Sequence, residues 1–100
     1  FLTNKKKKFL DIYLNDNNLF NYRTNKKCSL TEIEKEIFIY LIENKTCNKN
    51  FIKKYILKIK SNVETNSLDS HLTRIRKKLE KIESFIKIHS KGDELIIISN

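Results

Sequence analysis

The sequence predicts an α+β fold in which a small antiparallel sheet is followed by three helices and a terminal β-hairpin. Three observations carry this. Residues 9–30 are short apolar runs cut by Asn/Asp-rich turns. Residues 31–84 hold apolar residues at helical spacing. Residues 85–98 alternate apolar and polar around the only glycine of the chain. Runs broken every few residues by turn chemistry read as strands, and a 3.6-residue period reads as helix.

At 100 residues the chain is the size of one domain, taken here as 1–100. Residues 1–8 are an edge strand or linker. Phe1–Thr3 has strand character, and the four lysines Lys5–Lys8 read as a solvated turn. From Phe9 to Leu14 the chain is aliphatic and aromatic. Asn15-Asp16-Asn17-Asn18 then turns it, because Asn and Asp tolerate positive φ and bond their own backbone. Leu19–Arg23 alternates, with Phe20 and Tyr22 on one side, and Thr24–Lys27 is a second polar turn before Cys28–Leu30. The aromatic residues of this meander are assigned to the core.

Thr31-Glu32-Ile33-Glu34 is a capping box, with a Thr N-cap and Glu three residues on. It opens a helix to Glu43 or Asn44. Ile33, Ile37, Tyr40 and Leu41 share one face, while Phe38 and Ile42 fall almost opposite. Such a helix needs cover on two sides, which places it between the strands and the other helices. Asn44–Thr46 is a polar break and Asn48 an N-cap. Phe51, Ile52, Tyr55, Ile56 and Ile59 then give a second helix over 50–59, decorated with lysines.

The third helix, Asn66–Glu83, has the clearest pattern. Leu68, Leu72, Ile75, Leu79 and Ile82 recur at steps of four, three, four and three, one narrow stripe at about 100° per residue. Ser70, Thr73, Arg74, Lys77 and Lys81 lie opposite, and Arg76 and Lys78 flank the stripe. The rod would be roughly 27 Å long at ~1.5 Å per residue, and the major groove of B-DNA admits one α-helix. Helix, short connection, helix is the order that a helix-turn-helix needs. Lys91 sits at the tip of the hairpin that follows, where a cation reaches a minor groove or a phosphate.

The net charge of +9 points to a polyanionic partner. No apolar run approaches the ~18 residues of a membrane span, and no membrane partner is expected. Cys28 and Cys47 have neither CxxC nor histidine at ligand spacing, so they read as reduced, cytoplasmic, buried residues with no metal site. One glycine excludes a phosphate-cradling P-loop, and no nucleophile stands beside a base. No cofactor and no enzymatic activity are expected.

Two stretches resemble a known family. Leu30-Thr31-x-x-Glu34 before an apolar helix resembles the first-helix opening of OmpR/PhoB-type winged-helix domains. Residues 63–79, with Ser67-Leu68-Asp69-Ser70-His71-Leu72-Thr73-Arg74-Ile75-Arg76-Lys77-Lys78-Leu79, resemble that family's recognition helix. The resemblance covers roughly residues 9–98. It implies a winged helix-turn-helix with an N-terminal sheet (9–30), a three-helix core (31–84) and a wing (85–98). It also implies a sequence-specific transcription regulator, the output domain of a two-component response regulator or a receiver-less relative.

By carry-over, Ser70, Thr73, Arg74 and Lys77 would face the major groove of double-stranded DNA, with Arg74 making the base contact. Arg76 and residues near the helix start would hold phosphates; by their own chemistry, Lys77, Lys78 and Lys81 are read as phosphate contacts that set affinity and salt dependence. Lys91 falls where the family carries a wing Arg, and the 58–63 loop matches the segment some members use to touch RNA polymerase. Members often bind tandem direct repeats, which extends the resemblance to dimers on DNA. His71 reads as a packing or phosphate-contacting residue. The family's Trp-Gly is Leu57-Lys58 here, and its wing Gly-x-Gly-Tyr is Gly92-Asp93-Glu94-Leu95. Two other functions fit the same residues. One is a winged-helix protein-interaction module, the other a lysine-driven, non-specific nucleic-acid binder.

Overall fold

The structure is a computed structural model that describes residues 6–58 and 68–99. Four strands come first: β1 (Lys6–Phe9), β2 (Ile12–Asn15), β3 (Asn18–Asn21) and β4 (Lys26–Ser29). They form an antiparallel meander in sequence order. The proposed strand at 1–3 lies outside the described residues.

Three expectations for this sheet are corrected. Lys6, Lys7 and Lys8 do not form a solvated turn; they pair with Asn15, Leu14 and Tyr13 as edge strand β1. An edge tolerates lysines because its outer side has no neighbouring strand, and charge there discourages further pairing. The run 9–14 is not one strand but is folded back at Leu10-Asp11, with Leu10 at φ 58. Asp11 drives this: its buried carboxylate accepts from Asn21 Nδ2 (3.3 Å), Ser84 Oγ (2.9 Å) and the Phe85 N–H (3.0 Å). Of the aromatic residues, finally, Phe9 packs against the core, but Tyr13, Phe20 and Tyr22 do not enter it. Ile12, Leu14 and Leu19 take the inward face, and the two-residue period of a strand sends Tyr13 and Phe20 to the other side.

The capping box is present in full. Thr31 Oγ1 accepts the Glu34 N–H (3.2 Å), and the Thr31 N–H donates to Glu34 Oε1 (3.0 Å). Helix α1 (Glu32–Asn44) follows and ends at Lys45, at φ 64, whose N–H donates to the Leu41 carbonyl. Ile37, Phe38, Leu41 and Ile42 are all buried, so the helix is covered on both sides as its pattern requires.

The polar break after α1 is itself a strand, β5 (Thr46–Asn48). Asn48 then caps α2 (Lys49–Ile52), accepting the Asn50 N–H at 2.7 Å. The second helix is α-helical for only this turn and continues as a π-helical segment, Lys53–Lys58. Its apolar residues divide: Ile52 and Ile56 are buried, while Phe51 and Tyr55 stay exposed.

Helix α3 (Leu68–Lys81) buries Leu68, Leu72, Ile75 and Leu79, and Ile82 beyond it, all at 2% exposure or less. The caps expected at 65–67 lie outside the described residues. The helix closes with Glu83 at φ 59. The Ser84 N–H donates to the Leu79 carbonyl and the Glu83 N–H to that of Glu80, both at 3.0 Å. This is a Schellman closure with glutamate where glycine is usual.

Strands β6 (Ile86–Lys91) and β7 (Glu94–Ser99) make the hairpin, turned by Gly92-Asp93. Gly92 sits at φ 61, a backbone that L side chains rarely adopt. The hairpin is the larger part of a three-stranded sheet ordered β5-β7-β6, with Cys47 opposite Leu95. α1 packs against α3, the π-helical segment, β5 and β7, so its strand cover comes chiefly from this C-terminal sheet. No helix among the described residues is long and apolar enough to cross a membrane.

Candidate nucleic-acid interface

With the stripe of α3 in the core, geometry turns Ser70, Thr73, Arg74, Lys77 and Lys81 outward, and all five are exposed. The Thr73 hydroxyl donates to the Asp69 carbonyl at 2.9 Å. Among the described residues no carboxylate pairs with Arg74, Lys77 or Lys81.

The two flanking cations have other partners. Arg76 is half-buried, and its Nε donates to the Ile88 carbonyl at 3.0 Å, tying the wing strand β6 to the helix. Lys78, expected to meet phosphate, turns toward α1 instead. It donates to the carboxylate of Glu34, which is fully buried on α1. The reason is electrostatic: a buried carboxylate is costly unless a cation is paired with it.

Burial by itself would raise the Glu34 pKa. The Lys78 hydrogen bond, the Thr31 N–H and the charges of Lys78 and Arg74 outweigh it and hold Glu34 below the usual value. His71 lies on the same junction. Burial lowers its pKa, the Arg74 charge lowers it further and Glu34 pulls the other way. Glu34 Oε2 and His71 Nδ1 are both buried with no hydrogen-bond partner among the described residues.

These directions set a pH dependence. A histidine whose folded pKa is depressed binds its proton more readily when unfolded, so its contribution is complete above the unfolded value of ~6.5 and fades as pH falls below it. Glu34, also depressed, adds a second loss beginning below ~4.5. Urea unfolding across pH 4–8 should therefore show stability falling from pH 7 toward pH 5. His71→Gln should flatten that segment and leave the fall below pH 4.5; an unaltered profile would remove His71 from the account.

Both ends of α3 are anchored. At its start, Lys49 Nζ lies 3.9 Å from Asp69 Oδ1, and the Lys49 N–H donates to the Asp93 carbonyl at 2.7 Å. The wing turn, the start of α2 and the start of α3 thus share one end of the molecule. Lys91 is exposed there, in register with Glu94 and two residues from Asp93. At the far end, Asn21 Nδ2 (2.8 Å) and Thr24 Oγ1 (3.0 Å) donate to the Ile82 carbonyl. Arg23 donates to the Glu83 carbonyl and lies 4.0 Å from the centre of the Phe85 ring. The β3–β4 turn is therefore a clamp on the helix terminus.

Sequence reading missed the Asp11 hub, this clamp and the second role of Glu34. The capping box did mark Glu34, but only as a local residue. Both thiols are free. Burial pushes Cys47 up to about 11 and raises Cys28 as well, so neither is a ready nucleophile. No group of three or more His, Cys, Asp or Glu among the described residues is placed to hold a metal.

Residues 25–92 match the family described as "Transcriptional regulatory protein, C terminal". Comparison with curated proteins gives no match. The matched segment runs from the β3–β4 clamp through all three helices to the wing turn, and it covers more than half of the chain. The chain belongs to this family of OmpR/PhoB-type, winged-helix DNA-binding output domains of transcriptional regulators.

Proposed function

We propose that the chain reads a specific duplex DNA sequence by laying α3 in the major groove. The observation that supports this most is the division of α3 into a fully buried stripe and an exposed face whose Arg74, Lys77 and Lys81 meet no described carboxylate. Arg74 makes the base contact, because a guanidinium fork matches guanine N7 and O6. Lys77 and Lys81 meet phosphates, which set affinity and salt dependence. Arg76 holds the wing and lends charge to the same side, with Ser70 and Thr73 offering hydroxyls. Lys91 contacts a phosphate at the wing, its pull reduced by Asp93 and Glu94. In the same proposal the domain works in a response regulator, binds direct repeats as a dimer, and meets RNA polymerase through the 58–63 loop, which beyond Lys58 lies outside the described residues.

Selection of bound duplexes from a random pool at near-physiological salt tests this reading. Enrichment of one motif is expected. Equal retention of all sequences would support lysine-driven, non-specific binding, and no retention would favour a protein-interaction module. On the selected site, Arg74→Ala should remove ~1–3 kcal/mol of discrimination at one base pair. Lys77→Ala should weaken binding to every duplex alike and reduce the salt slope by about one. Competition binding at several salt concentrations reads both. An Arg74→Ala loss equal on all sequences would contradict base reading.

A further inference from the structure

We infer that the outer face of the N-terminal sheet is a second nucleic-acid site, a stacking platform for single-stranded DNA. This face points away from the core that Ile12, Leu14 and Leu19 enter. Tyr13 and Phe20 stack there with ring centroids 4.9 Å apart and planes 12° apart. Tyr22 extends the stack, 6.1 Å from Tyr13 at 18°, and is 52% exposed.

The register sets Lys8, Tyr13, Phe20 and Lys27 in one row across all four strands. Both lysines at its ends are exposed. At ~4.8 Å between strands the row spans about 14 Å. A neighbouring row holds Asn15, Asn18 and Ser29, with the Ser29 hydroxyl donating to Asn18 Oδ1 at 3.2 Å. By strand alternation none of these face residues is acidic.

Ring pairs of this kind stabilise a sheet by about 0.2–1 kcal/mol without any ligand. The cationic borders and the amide row go further and fit a partner with phosphates, flat rings and hydrogen-bonding edges. Aromatic residues on four-stranded sheets stack two or three bases elsewhere, and stacking accepts any base because each has a π face. The choice of DNA over RNA rests on the duplex-binding reading: a strand opened beside a duplex held by α3 would be at high local concentration.

The test is binding of labelled (dT)12, (rU)12 and a duplex to the whole chain by anisotropy. Tyrosine fluorescence is a second readout, since the chain has no Trp. Three variants separate the sites: Tyr13→Thr with Phe20→Thr; Lys8→Glu with Lys27→Glu, which keeps the rings; and Arg74→Ala with Lys77→Ala on α3. Thermal melts check folding. Both sheet variants should bind (dT)12 about tenfold more weakly or worse while holding duplex as before, and the α3 variant should show the reverse.

Failure of the wild type to bind (dT)12, or sheet variants that bind it normally, would overturn the proposal. Loss of (dT)12 in the α3 variant would put the strand on α3 instead. A tenfold preference for (rU)12 would overturn the DNA assignment. Loss of duplex selection with (dT)12 binding intact would count only against the α3 reading.

Discussion

Replacing Leu72 by alanine should lower stability by ~2–5 kcal/mol. Leu72 is 1% exposed, in the middle of the α3 stripe and flanked by Leu68, Ile75 and Leu79, which are buried as deeply. Truncation removes its contacts and leaves a void that close-packed neighbours fill only in part. Domains of this size hold only about 5–15 kcal/mol in all, and each lost kcal/mol lowers Tm by ~4–8 °C. A melt in the range of tens of degrees below wild type is therefore expected. DNA binding at low temperature should survive in whatever fraction stays folded, because Leu72 faces inward. An unchanged melt would mean that the stripe is not what fixes the helix.

Lys78→Met should destabilise the fold by ~3–5 kcal/mol near pH 7, because it leaves the buried Glu34 carboxylate without its ammonium. Methionine keeps most of the aliphatic stem, so the loss reports charge rather than packing. The sign of the pH dependence should also reverse. Burial is already the largest single influence on Glu34, so loss of both Lys78 contributions is expected to carry its folded pKa above the unfolded value of ~4.5. Stability from a raised carboxylate is present below the unfolded pKa and is lost as pH rises through the folded one. The variant should thus gain relative to wild type as pH falls toward 4.5. Glu34→Gln in the same background should restore much of the loss at neutral pH, since glutamine still serves the capping box. Urea midpoints of the two single variants and the double variant form the test; additive losses would show that the two side chains do not act as a pair.

Much of the fold was legible because its signals are local. The capping box at Thr31 and Glu34 lies within four residues, and the α3 stripe takes in four residues of one helix and Ile82 just beyond it. The hairpin turn needs a positive φ, and the only glycine supplies it. What escaped is non-local or carried by a single residue. β5 buries Cys47 alone between Thr46 and Asn48, too little for a two-residue period to show. Leu10-Asp11 turns the chain without glycine or asparagine, because Asp11 gathers donors from Asn21, Ser84 and Phe85 far along the sequence.

The candidate site divides the same way. Periodicity distinguishes buried from exposed on α3, so the outward placement of Arg74, Lys77 and Lys81 was legible. It says nothing of partners on other elements, so Lys78 was grouped with them although Glu34, 44 positions away, takes it. Arg76 was read only as a phosphate contact because the Ile88 carbonyl reaches it from the wing. For the first sheet, alternation was seen in Leu19–Arg23, but nothing local says which face the helices cover. Tyr13, Phe20 and Tyr22 were therefore assigned to the wrong side, and Phe9 to the right one.

The central claim is that the exposed face of α3 meets duplex DNA. Titrating the 15N-labelled chain with a selected duplex and following its backbone amides tests this most directly. The largest shifts should fall at Ser70, Thr73, Arg74, Lys77 and Lys81, with smaller ones around Lys91. Shifts confined to the first sheet or scattered over surface lysines, with α3 unmoved, would contradict it.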